Sequence, residues 1–294
     1  MINMTKVFFR FTNKNAPVYN EDIIWCAAKG GRIMYEALYA SVPDADAYLK
    51  RIQRKRRDVL TKEYLDDLIY GHQLHVPFEN LDVWMFQKDI PLDIEAIYEK
   101  VVTKHRGGYC FELNALFTAL LKDLGFHASS CMCRITRNKN YVPLVLHRGI
   151  IVELDGMKYF CDVGYGGPMP PGAVPVQDGA VADMRGERYY MYKDEVPWWT
   201  MKRRTGSGEI ESMLQFYTMP QEAVDYIPMN EYCSKNENSV FRQRLYLNKR
   251  TERGSVSVMG NRFTEVENGV VVQEMEIGEE EMKGVLERYF EIVV

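Results

Sequence analysis

An α+β protein laid out in consecutive segments, helices first and strands after, is the fold class the sequence predicts. Two patterns and one closing helix carry that expectation. Apolar residues recur at helical spacing between Asp44 and Gly125, then switch to the alternation of strands after Gly125. A last helical stripe covers about Glu279–Phe290. Ahead of these, residues 1–43 lack sustained periodicity and pass through Lys29-Gly-Gly-Arg32, which reads as an extension expected to be disordered.

The first clear helix opens at Thr61, whose hydroxyl suits an N-cap, and sets Tyr64, Leu65, Leu68, Ile69 and His72 on one stripe. Pro77 stops it. A second starts from Asp93, carries Ile94, Ile97, Tyr98, Val101 and Val102, and ends before Gly107-Gly108. The third begins at about Cys110 and runs through Leu113, Leu116, Phe117, Leu120 and Leu121 to Gly125, a glycine where a helix commonly terminates. Beyond it, Val145–Leu154 and Met157–Val163 flank Asp155-Gly156, the signature of a two-residue type I′ hairpin. Further strands are expected at Arg188–Tyr192, Trp198–Arg203, Gln215–Thr218, Gln243–Asn248, Ser255–Met259, Arg262–Val266 and Val270–Met275. Trp84, Trp198 and Trp199 read as core residues.

Composition narrows the function classes. At 294 residues, 46% apolar and 27% charged, the chain can bury a core without staples. Its 37 Lys and Arg against 41 Asp and Glu leave a formal charge of −4, so there is no bulk electrostatic reason to bind nucleic acid or an acidic membrane. The basic run Lys50–Arg57 reads as the solvated end of a helix. No apolar run approaches the roughly 18–20 residues of a membrane span, and the N-terminal segment lacks a signal-peptide cleavage pattern. A cytoplasmic location is therefore expected. Six cysteines without a C-x-x-C pair make neither a disulfide framework nor a zinc site. His72 and His75, even with His105, offer no third ligand of matching spacing, so no metal is expected and they read as solvent-facing or satisfied core histidines. Nothing in the pattern fixes an oligomeric state.

One constellation could carry chemistry. Cys110 stands at the first turn of its helix, where unsatisfied N–H groups and the positive end of the dipole favour a thiolate. If Asp155-Gly156 is the hairpin loop, Leu154 opposes Met157, and stepping back along both strands puts Gly149 opposite Asp162 and His147 opposite Gly164. His147 and Asp162 then share a face as diagonal neighbours, about 7–8 Å apart at the backbone, a gap side chains can close. A carboxylate on one imidazole nitrogen leaves the other free to take a proton from a thiol. Cys161 and Arg148 point the other way.

These residues also carry a family resemblance. Arg106-Gly-Gly-Tyr-Cys110-Phe-Glu-Leu-Asn114 resembles the active-site signature of the arylamine N-acetyltransferases, and Val76-Pro-Phe-Glu-Asn-Leu-Asp82 resembles that family's other recurrent block. Leu146-His-Arg-Gly149, Cys161-Asp-Val-Gly-Tyr-Gly166 and Asn236-Glu-Asn-Ser-Val-Phe241 are similar too, so the resemblance runs from about Asp44 to Val294. It implies a helical bundle over residues 44–130, a central β-barrel over 131–225 and a C-terminal α/β lid over 226–294, around a cysteine-protease-like Cys-His-Asp core. It implies acetyl-CoA as acyl donor, no metal, and a small arylamine, arylhydrazine or arylhydroxylamine acceptor, in a ping-pong cycle.

Residue by residue, the resemblance makes Cys110 the acyl-accepting nucleophile, His147 its base and proton carrier, and Asp162 the orienting carboxylate. It assigns the backbone of Gly164, Tyr165 and Gly166 to the CoA pyrophosphate, Phe78 and Tyr109 to the substrate pocket, and Arg106 with Glu79 to structural support of the catalytic loop. Three other readings stand beside it. A related Cys-His-Asp acyltransferase or amide synthase would use another acyl donor; a papain-like or transglutaminase-like enzyme would need no CoA; a binding module would keep the fold without turnover.

Overall fold

The computed structural model describes residues 35–293. Most of the expected extension, residues 1–34, lies outside them. Its described end is packed, because Val42 is buried and its N–H donates to Asp123 Oδ2 at 2.8 Å.

Capping chemistry sets the helix starts. Helix α1 (Ala45–Arg51) is capped by Asp44, whose carboxylate accepts the N–H groups of Asp46 and Ala47 at 2.9 Å each. Arg51, read from sequence as solvated, is buried, with Nε donating to the Val101 carbonyl. Helix α2 (Lys62–His75) starts on Thr61, which accepts from the Tyr64 N–H, and ends at extended Val76 before Pro77. The two-residue strand β1 (Phe78–Glu79) and the short α3 (Leu81–Trp84) follow. Trp84, expected in the core, is 41% exposed at the end of that turn. Helix α4 (Ile94–Tyr98) passes into a π-helical turn over Glu99–Thr103; Ile97, Val101 and Val102 stay buried although the hydrogen bonds widen. Helix α5 (Cys110–Asp123) ends at Gly125, φ +99°.

The chain then becomes strands: β2 (His127–Ile135), β3 (His147–Leu154), β4 (Met157–Cys161), β5 (Val174–Pro175), β6 (Val181–Met184), β7 (Glu187–Lys193), β8 (Trp199–Arg204) and β9 (Ile210–Phe216). They form one antiparallel sheet in the order β5-β4-β3-β2-β9-β8-β7-β6. Its ends approach, with β5 against β7, so the sheet curls into a nearly closed barrel. Phe160, Met201, Leu214 and Phe216 fill one of its faces, while Ile150, Val152 and Cys161 pack with the apolar stripes of α2 and α5. Helices α6 (Ile227–Lys235) and α7 (Val240–Gln243) lead into β10 (Tyr246–Arg250), β11 (Gly254–Met259), β12 (Arg262–Glu267), β13 (Val270–Glu276) and α8 (Glu279–Phe290).

This second sheet has the order β1-β10-β11-β12-β13. Its first strand thus comes from the helical region, with Phe78 opposite Asn248 and Glu79 opposite Leu247. The sheet crosses the boundary that sequence placed at residue 226, and β2 likewise begins before residue 131. Leu247, Phe263, Leu286 and Phe290 seal α8 onto it. The strand expected at Gln243–Asn248 starts later, at Tyr246, because Ser239 caps α7 just ahead of it.

His72 is wholly buried, edge-on to Tyr48 and Phe117, and neither ring nitrogen has a hydrogen-bond partner among the described residues. It is therefore not the satisfied histidine that sequence suggested. Burial, aided by the charges of Arg51 and His75, pulls its pKa down to about 3. Unfolded, the ring protonates near its ordinary value; folded, it resists. Stability is thus unaffected above that ordinary value of about 6.5 and falls with pH below it, by up to about 1.4 kcal/mol per pH unit for this one group. Urea denaturation at about pH 7 and about pH 4.5 checks this: His72→Phe is expected to lose less stability between the two than the unaltered protein. Equal losses would clear His72 of the effect.

Candidate active site

The β3–β4 hairpin turns on Asp155 and Gly156, with φ of +51° and +74° as a type I′ turn requires. Leu154 pairs with Met157 and Ile150 with Cys161, the register that a two-residue loop imposes. Just past the last pair, His147 and Asp162 meet: Nε2 lies 2.6 Å from Asp162 Oδ2. Both side chains are buried.

Cys110 is the first residue of α5, 2% exposed, and lies near enough to His147 for its charge to act on the ring. The approach of helix to strand depends on a glycine. A Cβ on Gly164 would stand 2.9 Å from Cys110 Cα, so only a residue without a side chain lets β4's continuation touch the helix start.

Asn114 completes the arrangement. It sits one turn beyond Cys110, and its Nδ2 donates to Asp162 Oδ1 at 2.9 Å and to the Arg148 carbonyl at 2.5 Å, while its Oδ1 accepts the Val163 N–H at 2.9 Å. Asp162 Oδ1 also accepts the Gly164 N–H at 2.8 Å. Sequence reasoning carried Asn114 only as the end of a motif; the signal that could have found it is its i+4 spacing from the cysteine, which puts both on one helix face.

Electrostatics follow the geometry. Burial disfavours the imidazolium of His147, but the Asp162 carboxylate and then Cys110 outweigh it, raising the pKa to about 10. At neutral pH the ring therefore holds its proton beside the sulfur. Such a pair can deliver a thiolate to an electrophile and a proton to a leaving group.

The other expected site residues divide. Both Nε and Nη2 of Arg106 donate to a single oxygen of Glu79, at 3.0 and 2.7 Å, and Nη2 reaches Asp82 at 3.4 Å. Phe78 is buried in an aromatic group with Phe241 and Tyr246, and its ring fills the space a Cβ on Gly166 would need. Tyr109, expected at the substrate pocket, is 1% exposed, edge-on to Phe111 and Phe241, and its hydroxyl donates to Asn230 on α6. It ties the start of α5 to the C-terminal part. The Gly164 N–H, expected to face a phosphate, donates to Asp162. Tyr165 sets its ring edge-on to His147 and donates its hydroxyl to the Met213 carbonyl at 3.3 Å. Among the described residues no group of three or more His, Cys, Asp or Glu side chains could hold a metal ion.

Comparison with known proteins adds the relatives. A family model described as N-acetyltransferase matches residues 61–294. The arylamine N-acetyltransferase of Escherichia coli K12 is 30% identical over 234 residues, covering 79% of this chain and 82% of the relative. Arylamine N-acetyltransferase 1 of Homo sapiens is 27% identical over 273 residues, covering 85% and 94%. Among solved structures, the arylamine N-acetyltransferase of Salmonella typhimurium superposes with a TM-score of 0.79 at 27% identity, covering 88% of this chain and 92% of the other. That of Mycobacterium marinum in complex with CoA gives 0.79 at 25% identity, covering 85% and 93%.

The shared proton has a measurable signature. The ring of His147 is expected to titrate near pH 10 in the NMR signal of its Cε1 proton, and Asp162→Asn is expected to bring that midpoint down toward the ordinary value of about 6.5. A raised histidine stabilises the fold fully below its unfolded pKa, and that contribution is lost as pH rises through the folded value. An unmoved midpoint in Asp162→Asn would remove the carboxylate as its cause.

Proposed function

The chain belongs to the arylamine N-acetyltransferase family, and we propose that it moves an acetyl group from acetyl-CoA, through a thioester on Cys110, to an arylamine, arylhydrazine or arylhydroxylamine. The observation that carries this reading is the buried His147–Asp162 pair at 2.6 Å beside a cysteine that opens a helix. The Mycobacterium marinum relative solved with CoA supports the donor class.

The chain's residues suit each step. The Cys110 sulfur attacks the acetyl carbonyl as a thiolate; the tetrahedral adduct collapses, the bond to the CoA sulfur breaks, and the proton on His147 goes to the departing thiol. In the second half the amine nitrogen attacks the thioester carbonyl, His147 accepts the proton it sheds, and the Cys110 thiolate leaves. Asp162 orients the ring throughout. We assign contact with the donor to Tyr165 and Gly166, the two residues of that turn whose amides Asp162 does not engage, and the acceptor pocket to Phe78. Arg106 and Glu79 support the loop before Cys110.

A cytoplasmic location belongs to the same proposal. The five described cysteines, Cys110, Cys131, Cys133, Cys161 and Cys233, are all free, which suits a reducing compartment. No described helix is long and apolar enough to cross a membrane.

Intact-protein mass spectrometry after incubation with acetyl-CoA and no amine tests the reading. One acetyl group is expected, mapped to Cys110, absent in Cys110→Ser and discharged when an arylamine is added. Asp162→Asn should slow its formation by about 10⁴-fold, as loss of an orienting carboxylate does elsewhere. If acetyl-, propionyl- and malonyl-CoA all leave the protein unmodified, the proposal fails in favour of a CoA-independent thiol enzyme or a binding fold.

A further inference from the structure

Lys100 lies in the π-helical turn Glu99–Thr103 and takes no part in the chemistry above. Its ammonium is 2.6 Å from Asp82 Oδ2, 2.8 Å from Glu112 Oε1 and 3.8 Å from Glu79 Oε1, on a side chain only 15% exposed. Arg106 is the other cation of this cluster, and it contacts Glu79 and Asp82. Lys100 is thus the cation on Glu112, and the cluster sets three carboxylates against two positive charges.

Glu112 is where this cluster meets the nucleophile. Its Oε2 accepts the N–H of Tyr109 at 3.0 Å, the amide immediately before Cys110, and its Oε1 is held by Lys100. Residue 112 is the third of α5, the position from which a glutamate reaches back to the helix start. The fit is close: a Cβ on Gly108 would stand 2.7 Å from Glu112 Oε2. The carboxylate therefore fills the bend through Gly107, Gly108 and Tyr109 that delivers Cys110 to the helix.

We propose that Lys100 is a positioning residue for Cys110, keeping Glu112 ionised and seated as the clamp on the loop that opens the nucleophile helix. The inference rests on Cys110 as the acyl-accepting thiol. The balance of charge supports it: burial leaves the Glu112 pKa above its ordinary value, Lys100 is the largest influence opposing that rise, and Glu79 adds to it. Burial likewise disfavours the Lys100 charge, and Glu112, Glu79 and Asp82 together overcome it. Without Lys100, Glu112 faces Glu79 and Asp82 with only Arg106 nearby, so its pKa rises further, and it takes up a proton at higher pH and loosens its hold on the Tyr109 amide.

The test uses the full chain and two readouts, acetyl transfer and the rate at which iodoacetamide alkylates Cys110, each followed against pH. Lys100→Met is expected to lower both by about 10- to 100-fold near neutral pH, the scale on which small misplacements act, and to move the acid-side fall to higher pH. Lys100→Arg should restore both. The double variant Lys100→Met/Glu112→Gln should lose the acid-side fall, since the amide keeps an acceptor for Tyr109 and has no charge to titrate. If Lys100→Met keeps the unaltered pH profile in both readouts, or the fall persists in the double variant, the proposal is overturned. Should Lys100→Met alone fail to fold, the double variant and Glu112→Gln decide it: matching profiles uphold the clamp, and a surviving acid limb sinks it. Alkylation needs no acetyl donor. A protein whose Cys110 alkylates selectively but accepts no acetyl group would therefore fail the acetyl-transfer reading while leaving the Lys100 result intact.

Discussion

A carboxylate buried to 3% exposure is tolerable only if its lone pairs find donors, and in this protein the donors for Asp162 come from three different pieces of chain. His147 supplies one from β3, Asn114 one from α5, and Gly164 one from the turn that Asp162 itself begins. Satisfying that single charge fixes the first turn of α5 against the barrel. Asn114 bridges further, to the carbonyl of Arg148 and the amide of Val163, so helix and hairpin cannot slide past one another without leaving polar groups unpaired. The placement of Cys110 beside His147 follows from this docking. Burial of charge and assembly of the site are one structural fact.

A second polar cluster holds the other side of Cys110. Glu79 stands on β1, which joins the C-terminal sheet, and it takes Arg106 from the loop before Cys110 while its second oxygen accepts the Leu81 N–H at 2.7 Å. Asn80, the next residue, donates to the carbonyls of Phe241 and Arg244 and accepts the Tyr246 N–H. The block from Phe78 to Asp82 is thus the point at which the helical region, the loop before Cys110 and the C-terminal sheet share hydrogen bonds. Tyr109 and Asn230 add a further tie. Such a network is costly to bury unless nearly every member is paired, which gives the loop a single arrangement.

What sequence made legible tracks how local the cause is. The Asp155-Gly156 turn sets the register of β3 and β4 within a few residues, and with it the meeting of His147 and Asp162. Cys110 is legible because two glycines break one helix and an apolar stripe announces the next. Strand β1 was hidden: it has two residues, and its partner β10 lies about 170 positions away. Strand β2 was hidden because it packs on both faces, with Ser130 and Cys131 buried side by side, so alternation fails. The π-helical turn keeps its apolar spacing, and only its hydrogen bonds reveal it. The tie from Tyr109 to Asn230 was hidden because Asn230 is remote in sequence, on a helix whose Pro228 and polar residues mask the helical pattern. The family resemblance supplied the barrel and the lid, which neither composition nor periodicity could have specified.

Two buried histidines show what distinguishes a chemical site from a packed core. His72 and His147 are 0% and 3% exposed, and burial alone drives both toward the neutral form. His72 meets only the edges of aromatic rings and the charge of Arg51, and its pKa drops to about 3. His147 meets a carboxylate at 2.6 Å and a thiol, and its pKa climbs to about 10. The same side chain in equally dry surroundings is held neutral in one place and protonated in the other. The difference lies in the partners, and those partners are in turn held by Asn114 and Gly164. A buried histidine is kept protonated here by a carboxylate that the fold is obliged to satisfy.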